Sequence, residues 1–110
     1  LESAARELGA RTGAVFAITL GKEGTLLGKA SDTRIIPSIP IQPVDTTGAG
    51  DAFVGAMLYQ LSLLEKGTLR SLGMDQWAHM TANANKAGAR TCAYLGAMEA
   101  FRHLNNQIFD

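Results

Sequence analysis

The sequence predicts an α/β fold for its 110 residues. A short apolar segment rich in strand formers, residues 14–20, lies between Gly13 and Gly21, which suits a strand buried on both faces of a parallel or mixed sheet. A longer segment, residues 51–64, is apolar almost all round and predicts a helix that is buried rather than laid on a surface. The length allows one small packed core, so a single domain at most is expected.

The first residues show a helical pattern. Four apolar residues recur at helical spacing, Leu1, Ala4, Ala5 and Leu8. We expect Gly9 to end this helix. Because the chain begins with leucine rather than an initiator methionine, we interpret the helix as the tail of a longer element, with further polypeptide in front.

Two short runs of strand formers follow, at residues 25–29 and 33–36. The residues between them are few and favour a turn: Ala30, Ser31 and Asp32. The two runs therefore predict a hairpin or a meander at the edge of the sheet.

A proline-rich connector comes next, containing Pro37, Pro40 and Pro43. Each proline fixes its own φ and biases the preceding residue away from helix, so an extended chain is expected. Pro37 and Pro40 also match the PxxP spacing that SH3 domains bind, although a connector is the favoured interpretation.

Helices are predicted for most of the remaining sequence. The apolar helix 51–64 is expected to close at Gly67, and a second helix is expected over residues 75–90 with Asp75 as its N-cap. One face of the second helix carries residues at helical spacing, Trp77, Thr81, Ala84 and Gly88. A last short helix is expected over residues 98–105.

Composition excludes several classes of function. The formal net charge is zero and the basic residues are scattered, so the chain lacks the basic patch that holds nucleic acid. No apolar run approaches the roughly 20 residues needed to cross a bilayer, so no membrane partner is expected. Cys92 is the only cysteine, which excludes an internal disulfide, fits a reducing compartment and is best interpreted as a small core residue. A cytoplasmic protein is expected.

The stretch that carries chemistry is Gly48-Ala49-Gly50, a turn that runs directly into the apolar helix. Glycines permit turn conformations in which successive N–H groups converge on one point. The unsatisfied N–H groups of the first helical turn and the positive end of the helix dipole add to this attraction. Together Gly48, Ala49 and Gly50 predict an anion hole fit for a phosphoryl group.

Asp51 follows this turn in the first turn of the helix. The dipole favours its ionised carboxylate, which can accept a proton from a substrate hydroxyl as that hydroxyl attacks a terminal phosphate. Phosphoryl transfer requires mainly positioning and charge neutralisation, so a weak base suffices. For a bare Gly-x-Gly-Asp the simpler alternative remains open, namely an ordinary turn followed by a good N-terminal helix residue.

The longer string has a more specific meaning. Residues 45–53, Asp-Thr-Thr-Gly-Ala-Gly-Asp-Ala-Phe, resemble the second signature of the PfkB carbohydrate kinases without a departure. Residues 19–24 resemble the Thr-Leu-Gly-x-x-Gly nucleotide loop of that family, and residues 85–89, with the later 96–97, resemble the helix and turn that border the adenine. The resemblance implies the C-terminal, nucleotide-binding and catalytic portion of a ribokinase-like three-layer α/β/α fold, spanning residues 1–110.

The resemblance also implies roles for individual residues. It implies that Gly48, Ala49 and Gly50 form the anion hole, and that Asp51 is the base. The implied surroundings of ATP are Thr19, Gly21, Gly24 and Asn85. Taken alone, Gly21 and Gly24 also suit an ordinary turn between strands, and Asn85 also suits a helix-surface amide.

A monovalent cation, K⁺ being the expected one, is implied beside the anion hole. The matching positions are Asp45, Thr47, Thr91, Tyr94 and Gly96, where carboxylate and carbonyl oxygens suit a hard cation. Tyr94 and Ala100 depart from the commoner family pattern. Mg²⁺ is expected as MgATP, held by phosphates and water, and no cluster of His or Cys points to another metal.

The residues of the signature, continued by Val54 and Gly55, most resemble those of bacterial fructokinases. This resemblance implies transfer of the γ-phosphate of ATP to fructose, giving fructose 6-phosphate. Ribokinases and nucleoside or riboside kinases of the same family are the alternatives. The family's sugar pocket and lid precede this segment, so a non-catalytic fragment without a sugar site is a further alternative. The resemblance also implies a homodimer for the full-length protein.

Overall fold

The computed structural model describes residues 1–94, 102 and 109. Its elements, in chain order, are the helix α1 (Glu2–Thr12), the strands β1 (Val15–Thr19), β2 (Thr25–Lys29) and β3 (Asp32–Ile36), and the helices α2 (Ala49–Ser62) and α3 (Met74–Thr91). Two short 3₁₀ turns cover Gly21–Glu23 and Thr68–Ser71. The combination of helices with a sheet confirms the predicted α/β class.

The described strands form an antiparallel sheet of order β1-β2-β3, so the predicted meander is confirmed. Lys29 pairs with Asp32, which leaves a turn of two residues, Ala30 and Ser31. Ala30 adopts a φ of 53°, a left-handed conformation that such tight turns require. The strand β3 therefore starts one residue earlier than its apolar pattern indicates.

The prediction that β1 is buried on both faces is wrong for the described residues. β1 is an edge strand of an antiparallel sheet, and Ala17 and Thr19 are exposed. The most buried strand is the central one, β2, which is buried from Thr25 to Gly28 and whose Leu26 and Leu27 are shielded by β1, β3 and the helices α1 and α3. An apolar run identifies a strand but not its place in the sheet.

The helix α1 continues past the predicted stop at Gly9 and ends at Thr12. Gly13 takes the left-handed capping conformation, φ 68°, and its N–H donates to the Gly9 carbonyl. Gly9 itself is buried, and a Cβ there would collide with the carbonyl of Ala30 in the turn between β2 and β3. Gly9 thus marks a close helix-to-turn contact rather than a helix end.

The helices α2 and α3 pack on one another through small side chains and one aromatic ring. Their shared core contains Phe53, Ala56, Ala84 and Ala87. The Gln60 side-chain amide donates to the Met80 carbonyl across the interface at 2.9 Å. This packing places the start of α2 beside the C-terminal part of α3, where a Cβ on Gly88 would come within 3.0 Å of the Ala49 carbonyl oxygen.

The boundaries of α2 and α3 differ from the predicted ones. The helix α2 begins two residues earlier, at Ala49, and ends at Ser62, while Gly67 precedes the second 3₁₀ turn with a φ of 91°. Gly73, not Asp75, is the N-cap of α3, and its N–H donates to the Gln76 side chain at 2.6 Å. Asp75 instead accepts a charged hydrogen bond from Arg34 on β3 at 2.7 Å.

The expectation of burial all round α2 is also wrong for the described residues. Val54 is 54% exposed and Leu58 is 61% exposed, because only one face of α2 meets α3. An apolar pattern shows that a helix face can be buried, but it does not show which element, if any, covers that face. The predicted helix 98–105 falls outside the described residues except for Arg102, which is helical.

Candidate functional site

A cleft of about 550 Å³ opens between the sheet and the two packed helices. Of the residues predicted for the anion hole, the base and the surroundings of ATP, all but Gly48 and Asp51 line it: Thr19, Gly21, Gly24, Ala49, Gly50 and Asn85. They come from three separate parts of the chain, namely the turn after β1, the start of α2 and the middle of α3. The fold therefore gathers these predicted residues around one space.

We call residues 21–24 and 38–41 the sheet-side wall of this cleft. All but Glu23 of these residues line the cleft. The second stretch belongs to the proline-rich connector, whose residues 37–43 lie in no helix or strand, as predicted. The connector is thus more than a spacer, because it forms one side of the cleft.

The start of α2 forms the opposite end of the cleft. Gly48 takes a left-handed conformation, φ 84°, which the predicted turn requires, and its carbonyl accepts the Ala52 N–H at 2.9 Å. The Ala49 N–H donates to the Thr46 carbonyl at 3.2 Å. The amides of Gly48, Gly50 and Asp51 have no acceptor among the described residues. These amides are available to an anion.

The prediction that both glycines of the turn adopt conformations closed to other residues fails for Gly50. Its φ is not positive, so its backbone conformation does not require glycine. A Cβ at Gly50 would meet no atom within 4 Å, so no packing requires glycine either. Among the described residues, nothing requires glycine at this position.

Asp51 lies in the first turn of α2, as predicted, and is exposed. It is not among the residues that line the cleft, but it directly follows Gly50, which is. No ion pair or hydrogen bond to its carboxylate occurs within the described part of the chain. The side chain is therefore accessible to a substrate at the rim.

The turn between β1 and β2 is tightly built. Gly21 and Gly24 both have positive φ, 62° and 105°, and the Leu20 N–H donates to the Gly24 carbonyl at 2.8 Å. A Cβ on Gly24 would collide with the Ile36 carbonyl and come within 2.9 Å of the Pro37 Cα. Gly24 is thus required both by its backbone conformation and by the connector that crosses it.

Asn85 is not the surface amide that its helical position alone allows. It is only 6% exposed, and its Oδ1 accepts a hydrogen bond from the Thr25 hydroxyl at 2.6 Å. Its Nδ2 donates to the carbonyls of Ile36, at 2.9 Å, and Pro37, at 3.3 Å. Asn85 therefore joins α3 to β2 and to the end of β3.

The residues predicted for a cation lie next to the start of α2. The Thr47 N–H and hydroxyl both donate to Asp45 Oδ1, at 2.9 and 2.7 Å, in a tight Asx turn. The Cys92 carbonyl accepts the N–H groups of Val44, at 2.7 Å, and of Asp45, at 3.1 Å. This contact brings the Asp45 segment to the end of α3.

The rest of the predicted cation set lies at that same end of α3. The Thr91 hydroxyl donates to the Ala87 carbonyl at 2.9 Å, and the Tyr94 N–H donates to the Thr91 carbonyl at 3.2 Å. Gly96 falls outside the described residues. Residues 1–94, 102 and 109 contain no group of three His, Cys, Asp or Glu side chains arranged to hold a metal ion.

Gly88 and Ala89, which the resemblance places at the adenine, also line the cleft. Other lining residues were not assigned to the site from the sequence: Lys22, Ser38, Ile39, Pro40, Ile41, Pro43, Thr46, Phe53 and Cys92. Lys22 is the one charged side chain among the described residues that line the cleft, and it occupies a variable position of the predicted nucleotide loop. Its position within that loop could have identified Lys22 as a lining residue from the sequence. Cys92 is buried as predicted, and burial, with a smaller effect of the Asp45 charge, raises the pKa of its thiol.

None of the helices in the described part of the chain is long and apolar enough to span a bilayer.

Comparison with known proteins identifies the family to which the chain is similar. The model of the pfkB family carbohydrate kinases matches residues 1–103. The chain is 40% identical over 95 residues to the aminoimidazole riboside kinase of Salmonella typhimurium, covering 86% of this chain and 27% of that protein. It is 40% identical over 93 residues to a Staphylococcus aureus ribokinase, covering 83% of this chain and 28% of that protein.

A solved structure is also similar. It is a double mutant of the Vibrio cholerae fructokinase with fructose, ADP and a potassium ion bound. The TM-score is 0.73 at 32% identity, over 86% of this chain and 29% of that one. The chain therefore spans between 27% and 29% of the length of these relatives.

Proposed function

Because the chain belongs to the pfkB family of carbohydrate kinases, we propose that it forms the nucleotide-binding and catalytic part of an ATP-dependent kinase that phosphorylates a sugar hydroxyl. The observation that carries this proposal is the cleft, in which the loop after β1, the middle of α3 and the start of α2 meet. ATP has a base, a sugar and a chain of phosphates. The cleft has a mostly apolar lining and ends at the start of α2, where Gly50 lines it and Gly48 and Asp51 adjoin it. The two patterns are complementary.

In the proposed complex, the nucleoside lies between the sheet-side wall and α3. Ala89 is small, so a planar base can approach α3 closely there, whereas the missing Cβ of Gly88 leaves room for the Ala49 carbonyl. Thr19, Gly21, Gly24 and Asn85 border the same space. The phosphates then extend towards α2, where the amides of Gly48, Gly50 and Asp51 have no acceptor among the described residues.

The proposed role of the α2 N-terminus is to stabilise the charge that the transferred phosphoryl group carries in the transition state. Phosphoryl transfer asks the protein mainly for positioning and for neutralisation of charge on the equatorial oxygens. Fixed backbone amides at a helix start provide that neutralisation without reorganisation. Ala49 lines the cleft but does not supply an amide to the phosphoryl group, because its own N–H donates to the Thr46 carbonyl.

Asp51 is the proposed general base. An acceptor hydroxyl placed against the rim beside Gly50 is within reach of an exposed carboxylate in the first turn of α2. Asp51 would accept the hydroxyl proton as the oxygen attacks the γ-phosphorus, and ADP would leave with the electrons of the broken P–O bond.

Two cations belong to the proposal. The oxygen-rich set around Asp45, Thr47 and the end of α3 suits a monovalent cation such as K⁺, and Thr91, Tyr94 and Gly96 complete the proposed set. Such an ion would add positive charge beside the anion-binding amides. Mg²⁺ would arrive with ATP, held by phosphate oxygens and water, and would neutralise charge on the phosphates.

Fructose is the proposed acceptor, with fructose 6-phosphate as the product. The wording of the 45–53 signature supports it, and so does the likeness to a fructokinase crystallised with fructose. A riboside is the second candidate, because the Salmonella relative is an aminoimidazole riboside kinase. The acceptor pocket is proposed to lie in polypeptide beyond these residues, in the full-length cytoplasmic protein, which we expect to be a homodimer.

The test is a phosphorylation screen of fructose, ribose and nucleosides with the full-length protein and MgATP, together with ATP binding by calorimetry. We expect ATP to bind and fructose to give the highest kcat/KM. Preferred phosphorylation of a nucleoside would replace the acceptor but keep the kinase. Absence of ATP binding by a folded protein would favour a non-catalytic remnant, as would an intact mass of the source polypeptide no larger than this chain.

A further inference from the structure

We propose that Thr25 and Asn85 form a buried polar clamp that positions the sheet-side wall of the cleft, and that Asn85 acts on nucleotide through this wall. The effect on nucleotide rests on the proposed function, whereas the effect on the wall does not. The clamp is the set of hydrogen bonds from Thr25 to Asn85 and from Asn85 to the carbonyls of Ile36 and Pro37.

The hydrogen-bonding capacity of Asn85 is almost fully used. A primary amide has two N–H donors and one oxygen with two lone pairs. In Asn85 both donors have acceptors, Ile36 and Pro37, and the oxygen accepts the Thr25 hydroxyl. Asn85 can therefore offer a bound nucleotide at most one lone pair, which makes it a positioning residue.

The clamp acts where the connector leaves the sheet. Ile36 is the last residue of β3, and Pro37 follows it without an N–H to continue the ladder. Here the connector crosses Gly24 so closely that a Cβ on Gly24 would come within 2.9 Å of both the Pro37 Cα and the Ser38 nitrogen. The path of residues 38–41 is thus set by backbone contact on one side and by Asn85 on the other.

The clamp also links the two sides of the cleft. Asn85 lies one turn before Gly88 and Ala89 on α3, which line the cleft opposite the connector. Thr25 directly follows Gly24 and has no exposed surface. A hydrogen bond between partners 60 residues apart in the chain therefore fixes the distance between α3 and the turn after β1.

Thr25→Val is the informative variant. Valine keeps the β-branched shape and removes the hydroxyl, which leaves Asn85 Oδ1 without its Thr25 donor. Thr81→Val is the matched control, because Thr81 is equally buried and its hydroxyl donates to the Trp77 carbonyl within α3, at 2.8 Å. Thr81 does not line the cleft.

The first measurement is a two-dimensional ¹H–¹⁵N NMR spectrum of the chain without nucleotide. We expect Thr25→Val to shift the amide resonances of Ser38 and Ile39, which are distant from Thr25 in the chain, and Thr81→Val to leave them in place. Unchanged resonances of these wall residues in Thr25→Val would overturn the clamp, whether or not the chain binds nucleotide.

The second measurement is the Kd for ATP by calorimetry. Loss of one buried hydrogen bond is expected to raise the Kd by roughly 3- to 10-fold in Thr25→Val, with no change in Thr81→Val. Asn85→Ala should weaken binding too, and the double variant should lose less than the product of the two single losses, because both act on one contact. Weaker binding in Asn85→Ala alone, with wild-type affinity in Thr25→Val, would make Asn85 a direct ligand and reject the clamp. A wild-type chain that fails to bind ATP counts against the proposed function, and the spectra then decide the clamp.

Discussion

The two ends of the cleft are built in different ways. The sheet-side wall lies beside the carbonyls of Ile36 and Pro37, which accept hydrogen bonds from Asn85, and it includes Gly24, where a Cβ would collide with the Ile36 carbonyl. The start of α2 has no such support around Gly50, where a Cβ would meet nothing, and the Asp51 side chain is exposed. One end is constrained by the fold, and the other is left open.

This difference separates stability from chemistry. A substitution at Gly24 must disturb packing, so its effect on nucleotide comes with a loss of stability. A side chain changed at Gly50 or Asp51 disturbs no described side-chain contact, so an effect there reports on what the cleft binds. Variants at Gly24 should therefore lose free energy of unfolding together with activity, whereas variants at Gly50 or Asp51 should lose activity at an unchanged free energy of unfolding.

Asp51→Asn should have the largest effect. Removing a general base is expected to lower kcat by about 10²- to 10⁴-fold, with nearly unchanged affinity for ATP and an unchanged free energy of unfolding. The measurement is steady-state kinetics of the full-length protein beside thermal denaturation. Asp75→Asn is the control, since Asp75 also lies in the first turn of a helix but pairs with Arg34. Near-normal turnover in Asp51→Asn would reject the role of base.

Gly50→Val should come next. A side chain at this position projects into open space, so the fold should tolerate it, while spoiling one amide donor is expected to cost about 2.7–4 kcal/mol of transition-state stabilisation. The measurement is kcat/KM, with the midpoint of denaturation as the stability readout.

Gly55→Val is the matched control for Gly50→Val. Gly55 is also a glycine of α2 at which a Cβ would meet no atom within 4 Å, and it does not line the cleft. We expect normal kcat/KM in Gly55→Val. Activity of Gly50→Val within twofold of wild type would count against the anion-binding role of the α2 N-terminus.

The parts of the fold that the sequence predicts are those with local causes. The turn between β2 and β3 and the position of Asp51 in a first helical turn follow from neighbouring residues. The role of the connector does not, because it depends on Asn85, whose partners are 48 to 60 residues away in the chain. Burial of α2 was overestimated for a related reason, since an apolar face at Val54 and Leu58 does not specify its partner.

Gly24→Ala tests the constrained end. A side chain at φ 105° is strained and collides with the Ile36 carbonyl, so we expect the free energy of unfolding to fall by roughly 2–4 kcal/mol. Gly13→Ala is the control, because Gly13 has a φ of 68° but nothing within 4 Å of a Cβ, so only the strain of roughly 1–2 kcal/mol applies. Equal losses in chemical denaturation would show that the connector does not press on Gly24.

Lys22→Gln should have the smallest effect. It tests whether the turn after β1 also contributes to nucleotide binding through an exposed side chain. Lys22 is exposed yet lines the cleft, so its charge should attract nucleotide phosphates. Exposed charge pairs contribute about 0.2–1 kcal/mol, so the Kd for ATP should rise no more than roughly fivefold. Because added salt screens such attraction, the difference between Lys22→Gln and wild type should shrink at high ionic strength. Lys66→Gln, an exposed lysine away from the cleft, should bind ATP as wild type does. A salt-independent loss in Lys22→Gln would mean that Lys22 acts through packing of the turn rather than through its charge.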